Sequence, residues 1–186
     1  MNKEDLFKAL DYVNHSRDKR QEMSSLILSN PELIKPLLSI AFTVDNPISS
    51  KACWVLEFTA KEKLEYIFPY LDTFTANLHK VHLDPSVRPM AKICEYLTKN
   101  YFQKKEPKCI KNLTNKHLEI IASNCFDWLI GEHKVAAQAY SMTSLLLLGR
   151  KYDWIYPELC MVLEQNYANG SAAYKARARM TLEKIK

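Results

Sequence analysis

Glycine is nearly missing from this sequence: Gly131, Gly149 and Gly170 are the only three in 186 residues. No two are close together, so no glycine-rich loop can form, and a phosphate cradle of the P-loop or dinucleotide type is excluded. Long apolar runs are missing too. The longest aliphatic stretch, Leu145 to Leu148, falls far short of the roughly 20 residues that span a bilayer and reads as a buried helix segment. The opening residues, Met1 to Asp5, lack the apolar stretch of a secretory signal, so a cytoplasmic protein without a membrane segment is expected. The five cysteines, Cys53, Cys94, Cys109, Cys125 and Cys160, are odd in number and include no C-x-x-C pair. They read as reduced thiols on apolar helical stripes, and none has the histidine or local context of a nucleophile. Charge is only mildly unbalanced, 26 Lys and Arg against 21 Asp and Glu for a net +5, less steep than the footprint of a dedicated nucleic-acid binder.

Apolar periodicity fills the rest. Residues recur at three and four, as in Leu6, Leu10 and Val13 or Leu33, Leu37 and Ala41, and sustained two-residue alternation is absent. The pattern predicts an all-α chain of about ten helices, near 4–14, 17–29, 31–43, 46–60, 62–79, 85–103, 115–130, 132–149, 152–168 and 171–186. Asn30, Asn46 and Asp84 each precede a proline and are expected to cap the helices that follow. The three glycines stand where helices should stop, in places that favour a left-handed residue. With 47% hydrophobic residues, a chain this long hides roughly 70% of its unfolded surface, so no disulfide or metal is required for stability.

An internal repeat organises these helices. Aligning the starts at Asp45, Asp84, Glu132 and Ser171 places Ile48, Val87, Val135 and Tyr174 in one column and Ala52, Ala91, Ala139 and Ala178 in the next. Alanine is only 15 of 186 residues, so a complete alanine column is informative. Further columns hold Val55, Cys94, Met142 and Thr181, and Phe58, Leu97, Leu145 and Lys184. The starts lie 39, 48 and 39 residues apart, bracketing the ~40–47-residue period of two-helix arrays. The preceding helices share I-x-P-x-L, at Ile34 to Leu38, Ile67 to Leu71 and Ile155 to Leu159. Proline so near a helix start removes at most one hydrogen bond and bends the helix.

The string Asp84-x-x-Val87-Arg88-x-x-Ala91 resembles the start of the second helix of a HEAT repeat, and the proline-bearing partners resemble its first helix. The resemblance covers residues 31 to 186 and implies an α-α superhelix, a short HEAT-like (armadillo-type) solenoid of about five hairpins forming one domain. Residues 1–30 are then a capping hairpin, 31–103 two repeats, 104–114 a basic connection carrying Pro107, and 115–186 two more repeats. Only Arg88 and Lys175 keep the basic residue after the apolar position; Ser49 and Ala136 replace it elsewhere. In such arrays the second helices line the concave face, so the resemblance implies a groove bearing Arg88, Lys92, Lys175 and Arg179, flanked by Lys51 and Tyr140.

Against that groove stand weaker candidates. His79 and His82 lie three apart with Asp84 beyond, but without a third histidine they read as basic groups at a helix end, not metal ligands. Glu57, Glu95 and Glu183 recur on the second helices and read as surface pairs with neighbours such as Lys92 and Lys184. Trp54, Trp128 and Trp154 have apolar helical neighbours and read as packing residues. No catalytic constellation, cofactor or metal site is legible. The expected function is therefore a non-catalytic scaffold binding another protein, of acidic character if the basic groove is used. The alternative is a nucleic-acid binder similar to the HEAT-like DNA alkylation repair glycosylases, with no catalytic position of that family matched here. The serine-rich, glycine-containing signature loop of a helical lyase of the fumarase type is absent, and length argues against that class as well.

Overall fold

A computed structural model of the chain describes residues 1–185. It contains eleven α-helices and four short 3-10 segments, and no strand occurs among the described residues. The helices form two compact units, Met1–Ile93 and Cys94–Lys186, with Lys186 itself, the last residue of the expected final helix, outside the described residues.

The first unit holds α1 (Lys3–Leu10), α2 (Arg17–Ser29), α3 (Ile34–Ala41), α4 (Pro47–Glu62), α5 (Leu71–Asn77) and the opening turns of α6 (Asp84–Phe102). Local chemistry sets their starts. Asn2 and Asp5 form a capping box at α1, Ser16 accepts from the Lys19 amide at α2, and Asn46 accepts from the Ile48 amide at 2.9 Å just before Pro47. Helix α4 is the centre: α1, α2 and α3 all pack on it, and it is buried on nearly every side between Ser49 and Ala60. Small residues such as Ala52, Cys53 and Ala60 allow that enclosure because they let neighbouring backbones approach. Fully burying each Leu or Ile adds about 1.5–3 kcal/mol, and Leu37, Ile40, Leu56 and Ile67 lose all contact with water. Polar residues caught in these contacts satisfy one another. Ser24 Oγ meets Thr59 Oγ1 at 3.2 Å between α2 and α4, and Ser50 Oγ meets Ser86 Oγ at 2.8 Å between α4 and α6.

The second unit holds the remainder of α6, then α7 (Pro107–Asn112), α8 (Asn115–Ile130), α9 (Val135–Leu148), α10 (Ile155–Tyr167) and α11 (Ala172–Ile185). Here α9 is central, with α8, α10 and α11 packed on it. A hydroxyl pair again bridges helices, Thr98 Oγ1 to Ser144 Oγ at 3.4 Å between α6 and α9. Thr114 and His117 form a capping box that starts α8.

Several sequence expectations need correction. The helix expected over 62–79 is broken into 3-10 segments at Leu64–Tyr66 and Phe68–Tyr70, the seven-residue α5, and a third 3-10 segment at Leu78–Lys80. Pro69, inside Phe68–Tyr70, cannot donate to an earlier carbonyl, so the helix does not close there. Pro36 and Pro157 are the third residues of α3 and α10, where a proline is tolerated. The basic connection at 104–114 contains α7. Asn30 makes no side-chain cap for the segment after it; its Nδ2 donates instead to Leu26 O at 2.8 Å, closing α2. Asp84 lies inside the first turn of α6, whose first bonds run from the Ser86 and Val87 amides to Leu83 O.

The alanine column is buried at Ala52, Ala91 and Ala178, but Ala139 is half-buried. The packed stripe of α9 runs through Ala137, Ser141, Ser144 and Leu148 beside Met142 and Leu145. The glycines also act differently from expectation. None has positive φ, and the one left-handed residue among those described is Lys105, φ 53°, just past α6. Gly149 is needed for close approach: a Cβ there would overlap the ring of Tyr156, whose hydroxyl donates to Leu146 O at 3.2 Å. Gly149→Ala has no backbone strain to cause, since φ is −60° and ψ −17°, so its whole effect comes from displacing that ring. Urea unfolding should show a loss of about 1–3 kcal/mol; an unchanged midpoint would show that the ring yields freely.

Candidate functional site

The first unit gathers arginines and aromatic rings where α2, α4 and the start of α6 meet. Glu57, expected at the surface, is only 7% exposed. Arg88 donates to it bidentately, Nη2 to Oε2 at 2.6 Å and Nη1 to Oε1 at 3.2 Å, with the arginine side chain 29% exposed. A guanidinium fork matches a carboxylate in this way, and the geometry fixes α6 against α4. Arg20 on α2 lies over the Phe58 ring at 5.0 Å. Burial first, and then the charge of Arg88, hold Arg20 below the ordinary guanidinium value, with Glu57 opposing that shift. Trp54 donates its Nε1 hydrogen to Pro85 O at 2.7 Å, and its ring lies 5.0 Å from that of His15.

Of the sequence-predicted groove residues, Arg88, Lys92 and Lys51 fall in the first unit and Tyr140, Lys175 and Arg179 in the second. Lys51 is engaged in holding the chain after α1: its Nζ donates to Asp11 O at 2.7 Å and to Asp11 Oδ1 at 2.8 Å. That contact holds the Asp11 carboxyl below its ordinary value, through the hydrogen bond and then the charge of Lys51. Lys92 is half-buried on α6. Lys175 and Arg179 lie four residues apart on α11, half-buried and exposed respectively, and Tyr140 is half-buried on α9. Arg179 borders a shallow cavity with Glu164, Tyr167 and Glu183.

A different set of cations converges in the second unit. Lys99, Arg150, Arg177 and Lys184 line one cavity of about 420 Å³. Arg177 donates to Thr143 Oγ1 at 2.5 Å, joining α11 to α9. Glu95, also expected at the surface, is 2% exposed and receives Lys99 Nζ at 2.7 Å. Sequence columns could not find this set, because Arg150 and Arg177 lie outside the aligned positions. The charge distribution was a usable signal: residues 1–93 hold 12 Lys and Arg against 12 Asp and Glu, and residues 94–186 hold 14 against nine. All of the net +5 therefore sits in the second unit.

The remaining candidates resolve as follows. His82 is exposed, with Nδ1 3.1 Å from Lys80 O and Nε2 3.5 Å from Asp45 Oδ1, and His79 is exposed. No group of three or more His, Cys, Asp or Glu among the described residues is placed to hold a metal ion. Trp54 and Trp128 are buried, whereas Trp154 is 50% exposed, tilted against Phe126 at 5.8 Å. No described helix is long and apolar enough to cross a membrane.

The cysteines are held away from reactivity. Four are buried and Cys160 is half-buried. Burial pushes the Cys53 thiol up from its ordinary value near 9 to about 12 and Cys109 to about 11, and burial followed by the neighbouring Cys125 holds Cys94 well above that range. A thiol that ionises only at higher pH when folded favours folding while both states are protonated; unfolding exposes a thiol that ionises first. Stability should therefore fall as pH rises through about 9. Titration with a chromogenic disulfide should find one fast thiol, Cys160, in the native protein and five in denaturant. Two or more fast thiols would contradict the burial described.

No family model, no curated protein and no solved structure matches this chain.

Proposed function

We propose that the chain is a short HEAT-like solenoid working in the cytoplasm as a non-catalytic protein-interaction module, with an acidic segment of another protein as its partner. The hairpin logic supports this reading: α3 packs on α4, α8 on α9 and α10 on α11, while the second helices α2 and α4, and α9 and α11, lie side by side. Such stacking exposes rows of side chains from successive second helices, a surface suited to extended partners. The observation that carries the proposal is the cluster of Arg20 on α2, Phe58 beside the buried Trp54 on α4, and Arg88 on α6. Arginine is enriched at binding hot spots, and here Glu57, which binds Arg88 bidentately, is the only carboxylate among the described residues whose charge acts on Arg20, which leaves an excess of positive charge.

A second reading, binding to nucleic acid, is favoured by the concentration of net charge in residues 94–186. Salt separates the two. Phosphate-backbone binding weakens linearly in log affinity against log salt, with a slope set by the number of phosphates neutralised.

The test uses the full chain as bait in extract from its native cell, beside a variant carrying Arg20→Glu and Phe58→Ala. The expected result is one or more acidic proteins retained by the wild type and reduced about tenfold or more with the variant. Equal retention by both, or no protein above background, would overturn the proposal.

A further inference from the structure

The cationic cavity is lined only by residues of the second unit and has its own logic. Part of its charge answers the helices themselves. Lys99 stands in the last turn of α6, Arg150 follows α9 and Lys184 stands in the last turn of α11, and each exposed carbonyl end carries roughly half a negative charge. Glu95 offsets Lys99 directly.

Arg177 has no such explanation. It is half-buried well inside α11, and its guanidinium is held by the neutral hydroxyl of Thr143. Among the described residues no carboxylate pairs with Arg177, Arg150 or Lys184. On α11 itself the one acidic residue, Glu183, lines a different cavity with Arg179. Four cations therefore face one carboxylate and three helix ends, about two and a half negative charges in all. A partly desolvated arginine fixed in place without a counter-ion is costly unless an anion arrives.

We infer that this cavity binds a small phosphate monoester. The phosphate lies among Arg177, Arg150 and Lys184, and the organic body rests on Leu146, Leu147 and Met180, which supply the apolar part of the lining. A phosphate dianion offers several acceptor oxygens to the guanidinium forks, the ammonium groups and the Gln103 amide, and carries the charge that the deficit requires. The volume, about 420 Å³, is within the range of small-molecule sites, and its partly enclosed form suits a compact ligand better than a polymer tracking an open groove.

Calorimetric titration of the full chain with phenyl phosphate and with inorganic phosphate tests this. The expected result is one saturable site for phenyl phosphate, Kd on the order of 0.1–1 mM, with inorganic phosphate weaker because it lacks an apolar body. Arg177→Gln should weaken phenyl phosphate about tenfold or more. If that variant melts out, the exposed pair Arg150→Gln with Lys184→Gln gives the same reading without disturbing the Thr143 contact. The charge-matched pair Lys111→Gln with Lys116→Gln, exposed on α7 and α8, should leave affinity unchanged. Three results would overturn the inference: no saturable binding by the wild type, equal weakening by the charge-matched pair, or DNA duplex binding that needs Arg177 while phenyl phosphate does not bind. Arg20 and Phe58 lie in the first unit, so failure here and failure of the interaction-module proposal are separately visible.

Discussion

Close approach between neighbouring helices is the constraint on which the rest of the structure depends. Helices α4 and α9 are each packed against at least three others, and a helix so enclosed has little room for polar groups left without partners. Small residues supply the room for close approach, and most of the buried hydroxyls pair across helices, although Ser141 Oγ on α9 finds no partner. Ser24 with Thr59, Ser50 with Ser86, and Thr98 with Ser144 put one hydroxyl pair at each of three helix contacts. Each pair also spares buried hydroxyls the desolvation penalty of about 1–3 kcal/mol that an unpartnered group would incur. Thr143 extends the pattern by receiving Arg177 between α9 and α11.

The same constraint shapes the charged sites. Glu57 and Glu95 are carried on helices whose surroundings close over them, so each is held by a long cation, Arg88 from the next helix in one case and Lys99 from the next turn in the other. Arg88 thereby becomes a fixed neighbour of the half-buried Arg20 and Phe58, with Trp54 buried beside them. Arg177 is fixed equally well but by a neutral partner, and it keeps its full charge for the cavity it lines. One arginine is thus locked in an ion pair with Glu57, and the other is held by a hydroxyl with no carboxylate partner among the described residues.

Much of the fold was legible in the residues. Nine of the observed α-helices lie under the expected ones with ends shifted by a few residues, because three-and-four periodicity records burial directly. The 62–79 segment differs from its pattern because its apolar spacing continues across Pro69 while its backbone cannot. The positions of the glycines suggest left-handed turns, but none has positive φ; Gly149 makes room for the ring of Tyr156, a contact between α9 and α10 that no local pattern reveals. The candidate site was less legible. Arg88 stands out in the aligned columns, whereas Arg20 and Phe58 meet only through packing, and Arg150 and Arg177 occupy no aligned column. Glu57 and Glu95 looked like surface carboxylates because sequence shows the neighbours on their own helix and not the helices that cover them.

Leucine substitution at each of the four aligned alanines tests the packing account most directly. Ala52, Ala91 and Ala178 are fully buried where helices meet, and Ala139 is half-buried. In equilibrium urea unfolding, Ala52→Leu, Ala91→Leu and Ala178→Leu should each lose about 1–3 kcal/mol or more, with Ala139→Leu within roughly 0.5 kcal/mol of the wild type. Tolerance of leucine at all three buried positions, or a loss at Ala139 as large as theirs, would contradict the account.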